Sequence, residues 1–210
     1  MYVQELWRYP VKSLRGEPLA RAELRADGVV GDRLVHVQNR RGFVTARTRP
    51  RLLGLQGSLD PHGRVLIDGR PWDDPQSLAA VRAAAGPDAT LVADASLERF
   101  DVLPLLVATD GAIARFGFDG RRLRPNLIVG GVAGLAERSW PGRRLRIGEA
   151  VIGVDSLRGR CVMTTFDPDT LEQDLDVLRH IVRTFDGELA LNCWVEQPGV
   201  IAVGDAVELL

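Results

Sequence analysis

The stretch "YVQELWRYPVKSL", Tyr2–Leu14, sets the reading of the fold. Apolar and polar residues alternate through it until Pro10, the pattern of a half-buried strand cut by a stiff turn. The same grammar continues. "LARAEL" (19–24) alternates before the turn "ADGVVGD", "RLVHVQN" (33–39) before "RRG", and "FVTAR" (43–47), "LLGLQGSL" (52–59) and "RVLID" (64–68) follow. Short strands at this spacing predict an antiparallel barrel or sandwich. Only "QSLAAVRAAA" (76–85), ended by Gly86 and Pro87, reads as a helix in this half.

The second half is mixed. "PLLVAT" (104–109) and "NLIVGG" (126–131) read as buried strands, and "DGAIARFG" (110–117), with a capping aspartate, as a short helix. "RRLRIGEAVIGVDSL" (143–157) reads as a hairpin turning at Gly148-Glu149. "DLDVLRHIVRTF" (174–185) carries a helical stripe at Leu175, Leu178, Ile181, Val182 and Phe185. Two closing strands are predicted in "LALNCWVEQPGVIAVGDAVELL", with "PGVIAVGDAV" as a final barrel hairpin. The fold class is therefore mainly β with a few helices (α+β). The seam between the halves falls at 85–101, where no flexible linker composition appears. One compact body with two lobes is expected, and a cleft between lobes is a common place for a ligand.

With 45% hydrophobic and 26% charged residues in 210, the chain has the make-up of a soluble globular protein. A net charge of -1 gives no reason to expect nucleic acid or an anionic membrane as partner. No signal segment is visible at Met1, and no apolar run approaches the roughly 20 residues of a membrane span. Cys161 and Cys193, 32 positions apart, form neither a C-x-x-C nor a disulfide framework, a usage suited to a reducing cytoplasm. His36, His62 and His180 lack ligand spacing.

Four clusters can carry chemistry. In "YPVKSLRG" (9–16), Lys12, the only lysine, and Ser13 follow a strand end, where both can donate to an anion or simply decorate a turn. In the second cluster Arg33 opens one strand and Thr45 and Arg47 close the next. These guanidinium forks suit carboxylate or phosphate, or are solvated strand-end charges. In "RRLRPNLIVGG" (121–131), Arg124 can meet an anion, and Asn126 can read a heterocycle edge or satisfy local backbone. In "RCVMTTFDPDT" (160–170), Cys161 beside Arg160 is either a buried core thiol or a thiolate, the form that serves as nucleophile or soft metal ligand. Cys193, in the apolar "LNCWVE", reads as structural.

In that order, "YPVKSLRG", "VTAR", "RPNLIV", "RCVMTTFDPDT" and a closing G-x-I-x-V-G-D-x-V (199–207) resemble the MOSC superfamily in its form with an N-terminal MOSC β-barrel domain, and within it the amidoxime-reducing branch. The resemblance runs from Leu6 to Leu209. It implies a MOSC-type β-barrel packed against a β-rich N-terminal lobe, with units 1–95 and 96–210. It further implies the molybdenum cofactor, a molybdenum-bearing pterin dithiolene with a phosphate (Mo-molybdopterin). Cys161 is implied as its thiolate ligand and Arg160 as the neighbour of the metal. Lys12, Ser13, Arg33, Arg124 and Asn126 are implied as the pterin and phosphate donors, with Thr45, Arg47, Thr109, Asp110 and Asn192 as further site residues.

The implied activity is reduction of small N-hydroxylated or N-oxygenated substrates, recharged by a separate ferredoxin- or flavin-type electron-transfer protein. The alternative is a sulfur carrier holding a persulfide on Cys161. Two positions depart from the family pattern: Gly159 stands where the branch tends to have serine, and Leu171 where "DPDTG" would place glycine. The middle of the chain is shorter than in fuller members.

Overall fold

A computed structural model of the chain describes residues 1–94 and 96–210. Ala95, the last residue of the first expected unit, lies outside the described residues. The body is built on one eight-stranded sheet. Its order is Val207–Leu209, Arg144–Ile147, Ala150–Gly159, Glu188–Gln197, Leu105–Thr109, Leu127–Gly130, Tyr2–Arg8, Glu17–Leu19. Every pairing is antiparallel except Leu105–Thr109 with Leu127–Gly130, which run parallel. A parallel pair needs a crossover. Here the crossover holds a short helix, Asp110–Phe116 (α2), which follows the first helix of the chain, Pro75–Ala85 (α1).

The opening strand shows why alternation alone misplaces side chains. Strict period two would put Val3, Glu5 and Trp7 on one face. A register shift between Val3 and Glu5 instead lets Val3 and Leu6 both point into the core. The strand belongs to the N-terminal half, yet it pairs with Leu127–Gly130, so the two halves share a sheet.

The expected barrel takes the form of an open ladder that curls on itself. The strands Tyr2–Arg8 and Val207–Leu209 are far apart in ladder order. Even so, Val3 N–H donates to Asp205 O (2.8 Å), Gly204 N–H to Val3 O (2.8 Å) and Val207 N–H to Met1 O (2.9 Å). The terminal segment is thereby split. Gly199–Ala202 pairs with Arg21–Arg25, and Val207–Leu209 with Arg144–Ile147, so "PGVIAVGDAV" is not a hairpin and the C-terminal stretch holds three strands rather than two.

Three small sheets complete the scaffold: Thr90–Ala93/Val35–Asn39/Gly42–Val44, Gly199–Ala202/Arg21–Arg25/Gly28–Val29, and Gly57–Leu59/Val65–Ile67/Arg70–Pro71. Two predicted strands come out shorter. In "FVTAR" the strand stops at Val44, because Thr48 N–H and Arg49 N–H both donate to Thr45 O and close a turn. In "LLGLQGSL" the first half is a 3-10 turn, Pro50–Gly54, started by the fixed φ of proline.

Apolar side chains gather in three cores. One fills the large sheet, including Val3, Leu6, Val107, Val129, Leu145, Ile152 and the buried Cys193. One lies under the N-terminal sheets, around Val11, Leu14, Val37, Leu52 and Val81. The third joins α2 to the helix Leu175–Phe185 (α3), through Phe116, Val177, Ile181 and Phe185. The buried face of α3 is thus Val177, Ile181, Phe185, spaced by four. Leu175 and Val182, expected in the stripe, are about half exposed.

Candidate functional site

Cys161 follows the long strand Ala150–Gly159 and caps a 3-10 turn, Val162–Thr165, whose Thr164 N–H and hydroxyl both donate to the Cys161 carbonyl. Its half-buried side chain lines a cavity of about 100 Å³ together with Arg33, Arg47, Arg122, Arg124, Arg158 and Arg160. One carboxylate, Asp101, faces these six guanidinium groups. Cys193 differs: it is fully buried in the sheet core, and burial pushes its thiol far above the ordinary cysteine range.

The arginines are not equally satisfied. Arg33 is paired with the buried Asp32 and Arg122 with Asp167 (2.9 Å). Arg158 donates to Asn192 Oδ1 (3.2 Å) and lies 3.6 Å from Asp101. Arg160 spends one nitrogen on Leu123 O (2.7 Å), and its buried Nε has no partner among the described residues. Among the described residues Arg124 has no hydrogen-bond or ion-pair partner for its guanidinium, which instead lies over the Tyr9 ring at 4.3 Å.

Burial holds Arg124 and Arg158 below the ordinary arginine value. It pulls Arg160 down to about 10, with the charge of Arg158 acting in the same direction. These cations carry a desolvation cost that an anion in the cavity would offset. Tyr9, beneath Arg124, is a neutral phenol: burial pushes it up to about 12, and its hydroxyl donates to Pro125 O (3.2 Å).

The cavity therefore gathers Cys161, Arg160, Arg124, Arg33 and Arg47 from four separate stretches of sequence. Lys12 reaches its rim through Asp101 (2.8 Å) and also donates to Arg99 O (2.8 Å). Ser13 is buried at φ 73°, its oxygen accepting from Ala46 N–H (3.0 Å), so it fixes the turn that carries Arg47. Thr45 closes that same turn through its carbonyl and does not line the cavity.

Asn126 is spent on the scaffold. Its oxygen accepts from Leu106 N–H (3.1 Å), and its amide donates to Trp7 O (3.4 Å) and Asp32 (3.2 Å). Asn126 thus satisfies backbone groups, those of the distant Leu106 and Trp7 rather than local ones, and its amide is engaged by Trp7 and Asp32 among the described residues. Asn192 is a support of the same kind, tethering Arg158 to Ser156 and Leu157.

Thr109 and Asp110 are not brought to the cavity. Thr109 is the N-cap of α2, a role expected of Asp110, and its hydroxyl reaches the buried Glu137 (3.3 Å). The Asp110 carboxylate accepts from Gly131 N–H (2.7 Å) and Val132 N–H (2.9 Å), holding the turn after Leu127–Gly130. Gly111 is required there, since a Cβ would sit 2.2 Å from Val132 O.

Sequence reasoning missed Asp101, Arg122, Arg158 and Asp32. Arg158 had a signal: it lies two residues before Arg160 on an extended segment, hence on the same face. Asp101 had none. It is placed only by the fold, where it ties Lys12 (2.8 Å), Arg47 (2.9 Å) and Arg158 (3.6 Å) together. Burial alone would raise its pKa, but the Lys12 hydrogen bond and the three cations bring it below the usual aspartate value of 3.8. A depressed carboxylate adds stability above its unfolded pKa and loses it as pH falls through the folded one. The gap in melting temperature between the wild-type protein and Asp101→Asn should therefore be constant near neutrality. It should close as pH drops below about 4.

Fold and site together define a β-rich protein with one half-buried cysteine among incompletely satisfied arginines. The comparisons with known proteins agree with this class. The MOSC domain matches residues 106–208 and the MOSC N-terminal beta barrel domain residues 1–102. Human mitochondrial amidoxime-reducing component 1 is 26% identical, over 99% of this chain and 82% of its own length. Human mitochondrial amidoxime reducing component 2 is also 26% identical, over 98% and 82%. The crystal structure of the YuaD protein from Bacillus subtilis superposes with a TM-score of 0.56 at 15% identity, covering 99% of this chain and 94% of that one, a likeness of fold. The chain belongs to the MOSC family, with the N-terminal β-barrel domain in front of the MOSC domain, as its motif order implied. Leu171, where the family pattern has glycine, keeps a glycine-like backbone at φ 61°.

Proposed function

We propose that the Cys161 cavity holds the molybdenum cofactor and that the protein is a molybdenum-dependent reductase of N-hydroxylated or related N-oxygenated compounds. A separate ferredoxin- or flavin-type protein supplies the electrons. The observation that carries this reading is the pair of under-satisfied guanidinium groups, Arg124 and Arg160, with Arg158 beside them, around a free half-buried thiol. This donor chemistry fits a group with a phosphate at one end and a soft metal at the other. The buried Nε of Arg160 is an orphaned donor of the kind such a group satisfies.

Cys161 would supply the sulfur ligand. Arg124, Arg158 and Arg160 would donate to the anionic groups, and Asp101 would hold Lys12 and Arg47 in position at the rim. The bound cofactor supplies a two-electron redox centre able to take oxygen from the substrate. With two electrons and two protons, an N-hydroxyl compound becomes the amine or amidine plus water. A persulfide carrier would need the activated thiol but not the ring of anion donors, which is why the reductase reading is preferred.

The test is the content of protein purified from a host that makes the cofactor. Near-stoichiometric molybdenum and pterin are expected. A metal-free protein whose Cys161 carries one extra sulfur by intact mass would overturn the reading in favour of the carrier.

A further inference from the structure

A second, larger cleft of about 230 Å³ adjoins the Cys161 cavity, sharing Arg122, Arg124 and Met163 with it. Its other walls are apolar and aromatic, chiefly Trp7, Tyr9, Leu53 and Phe166. Four arginines line it, but two are neutralised. Arg121 is gripped by Asp119 (2.7 Å) and Asp169 (2.6 Å), and Arg122 by Asp167 (2.9 Å).

Arg15 and Arg124 are not neutralised. Among the described residues neither guanidinium has a hydrogen-bond or ion-pair partner, and the Nε of Arg15 is buried. Asp169 acts on Arg15 only as a distant charge, because its oxygens are engaged by Arg121.

We propose that this cleft is a binding subsite for a small planar aromatic carboxylate. The rings of Trp7, Tyr9 and Phe166 offer faces and edges to an aromatic body. A guanidinium is the planar fork that a carboxylate fits, and a buried one with no partner gains most from it. The volume lies below the roughly 300–1,000 Å³ of sites for drug-sized ligands, which limits the occupant to one or two rings. The proposal does not depend on what Cys161 holds. It rests on Arg15 and the aromatic walls, which the Cys161 cavity does not share, and is tested on protein free of metal.

The test is calorimetric titration of the metal-free protein with 2-naphthoate and with its uncharged analogue 2-naphthamide. Saturable binding of the carboxylate is expected, on the order of tenfold tighter than the amide. Arg15→Gln should erase that preference while leaving the amide unchanged. Leu53→Trp, which fills the cleft without touching the Cys161 cavity, should abolish both. If Leu53→Trp fails to fold by circular dichroism, Arg15→Gln decides alone, since its native side chain makes no hydrogen bond to lose. No saturable binding, equal affinity for the two probes, or carboxylate binding that survives both substitutions would overturn the proposal. The molybdenum content of the loaded protein is independent of all these outcomes.

Discussion

Replacing Cys161 by alanine is expected to bring molybdenum in the purified protein down to background with the fold intact. The substitution removes one sulfur atom from a half-buried position. Among the described residues that sulfur makes no hydrogen bond. The neighbouring turn is held by the Cys161 carbonyl, which alanine keeps. The stability cost should therefore be about 1 kcal/mol or less. Metal analysis beside thermal melting separates the two effects. Undiminished molybdenum in a well-folded Cys161→Ala protein would place the ligand elsewhere. Loss of metal with a collapsed melting temperature would make the residue structural.

Asp32→Ala should have the largest effect on stability. The Asp32 side chain is fully buried where the two halves of the chain meet. It accepts from Tyr9 N–H (2.6 Å), from the Asn126 amide (3.2 Å) and from the Arg33 guanidinium. Removing it leaves a backbone donor, an amide and a mostly buried cation without their acceptor. Breaking a buried pair in this way costs about 3–5 kcal/mol. Arg33 keeps some access to water, with 18% of its side chain exposed, so the lower end of that range is expected. For a chain of this size, about 3 kcal/mol lowers the melting temperature by about 6–12 °C. Urea unfolding of Asp32→Ala and Asp32→Asn checks it. The asparagine variant, which can still accept, should lose less, and a loss below 1 kcal/mol for alanine would remove Asp32 from the junction's support.

Much of the scaffold was legible in the chain itself. The strand Val35–Asn39, the hairpin turning at Gly148-Glu149 and the limits of α1 and α3 follow from local pattern and capping, and they appear where those signals fall. Errors arose where a distant segment overrode the local pattern. The register shift in Tyr2–Arg8 answers to its pairing with Leu127–Gly130. The closing hairpin was undone by bonds to Met1 and Val3 at the far end of the chain. In α3 the apolar residues wrap more than one face, so only tertiary packing, against the turn Val162–Thr165, the strand Glu188–Gln197 and the Phe116 side chain of α2, selects Val177, Ile181 and Phe185.

The site divides in the same way. By itself the sequence determined the family, the β-rich class and the candidate thiol, because motif order and residue type survive without coordinates. Only the tertiary structure decided which donors remain available. It consumed Asn126 in the backbone, set Thr109 to capping α2 and Asp110 to holding the turn at Gly131 and Val132, and brought Asp101 to Lys12 and Arg47. Among the described residues it left Arg124, Arg15 and part of Arg160 without hydrogen-bond or ion-pair partners. The physical reason is that residue type fixes what a side chain can donate or accept. Whether that capacity is already spent depends on neighbours that the chain supplies from dozens of residues away.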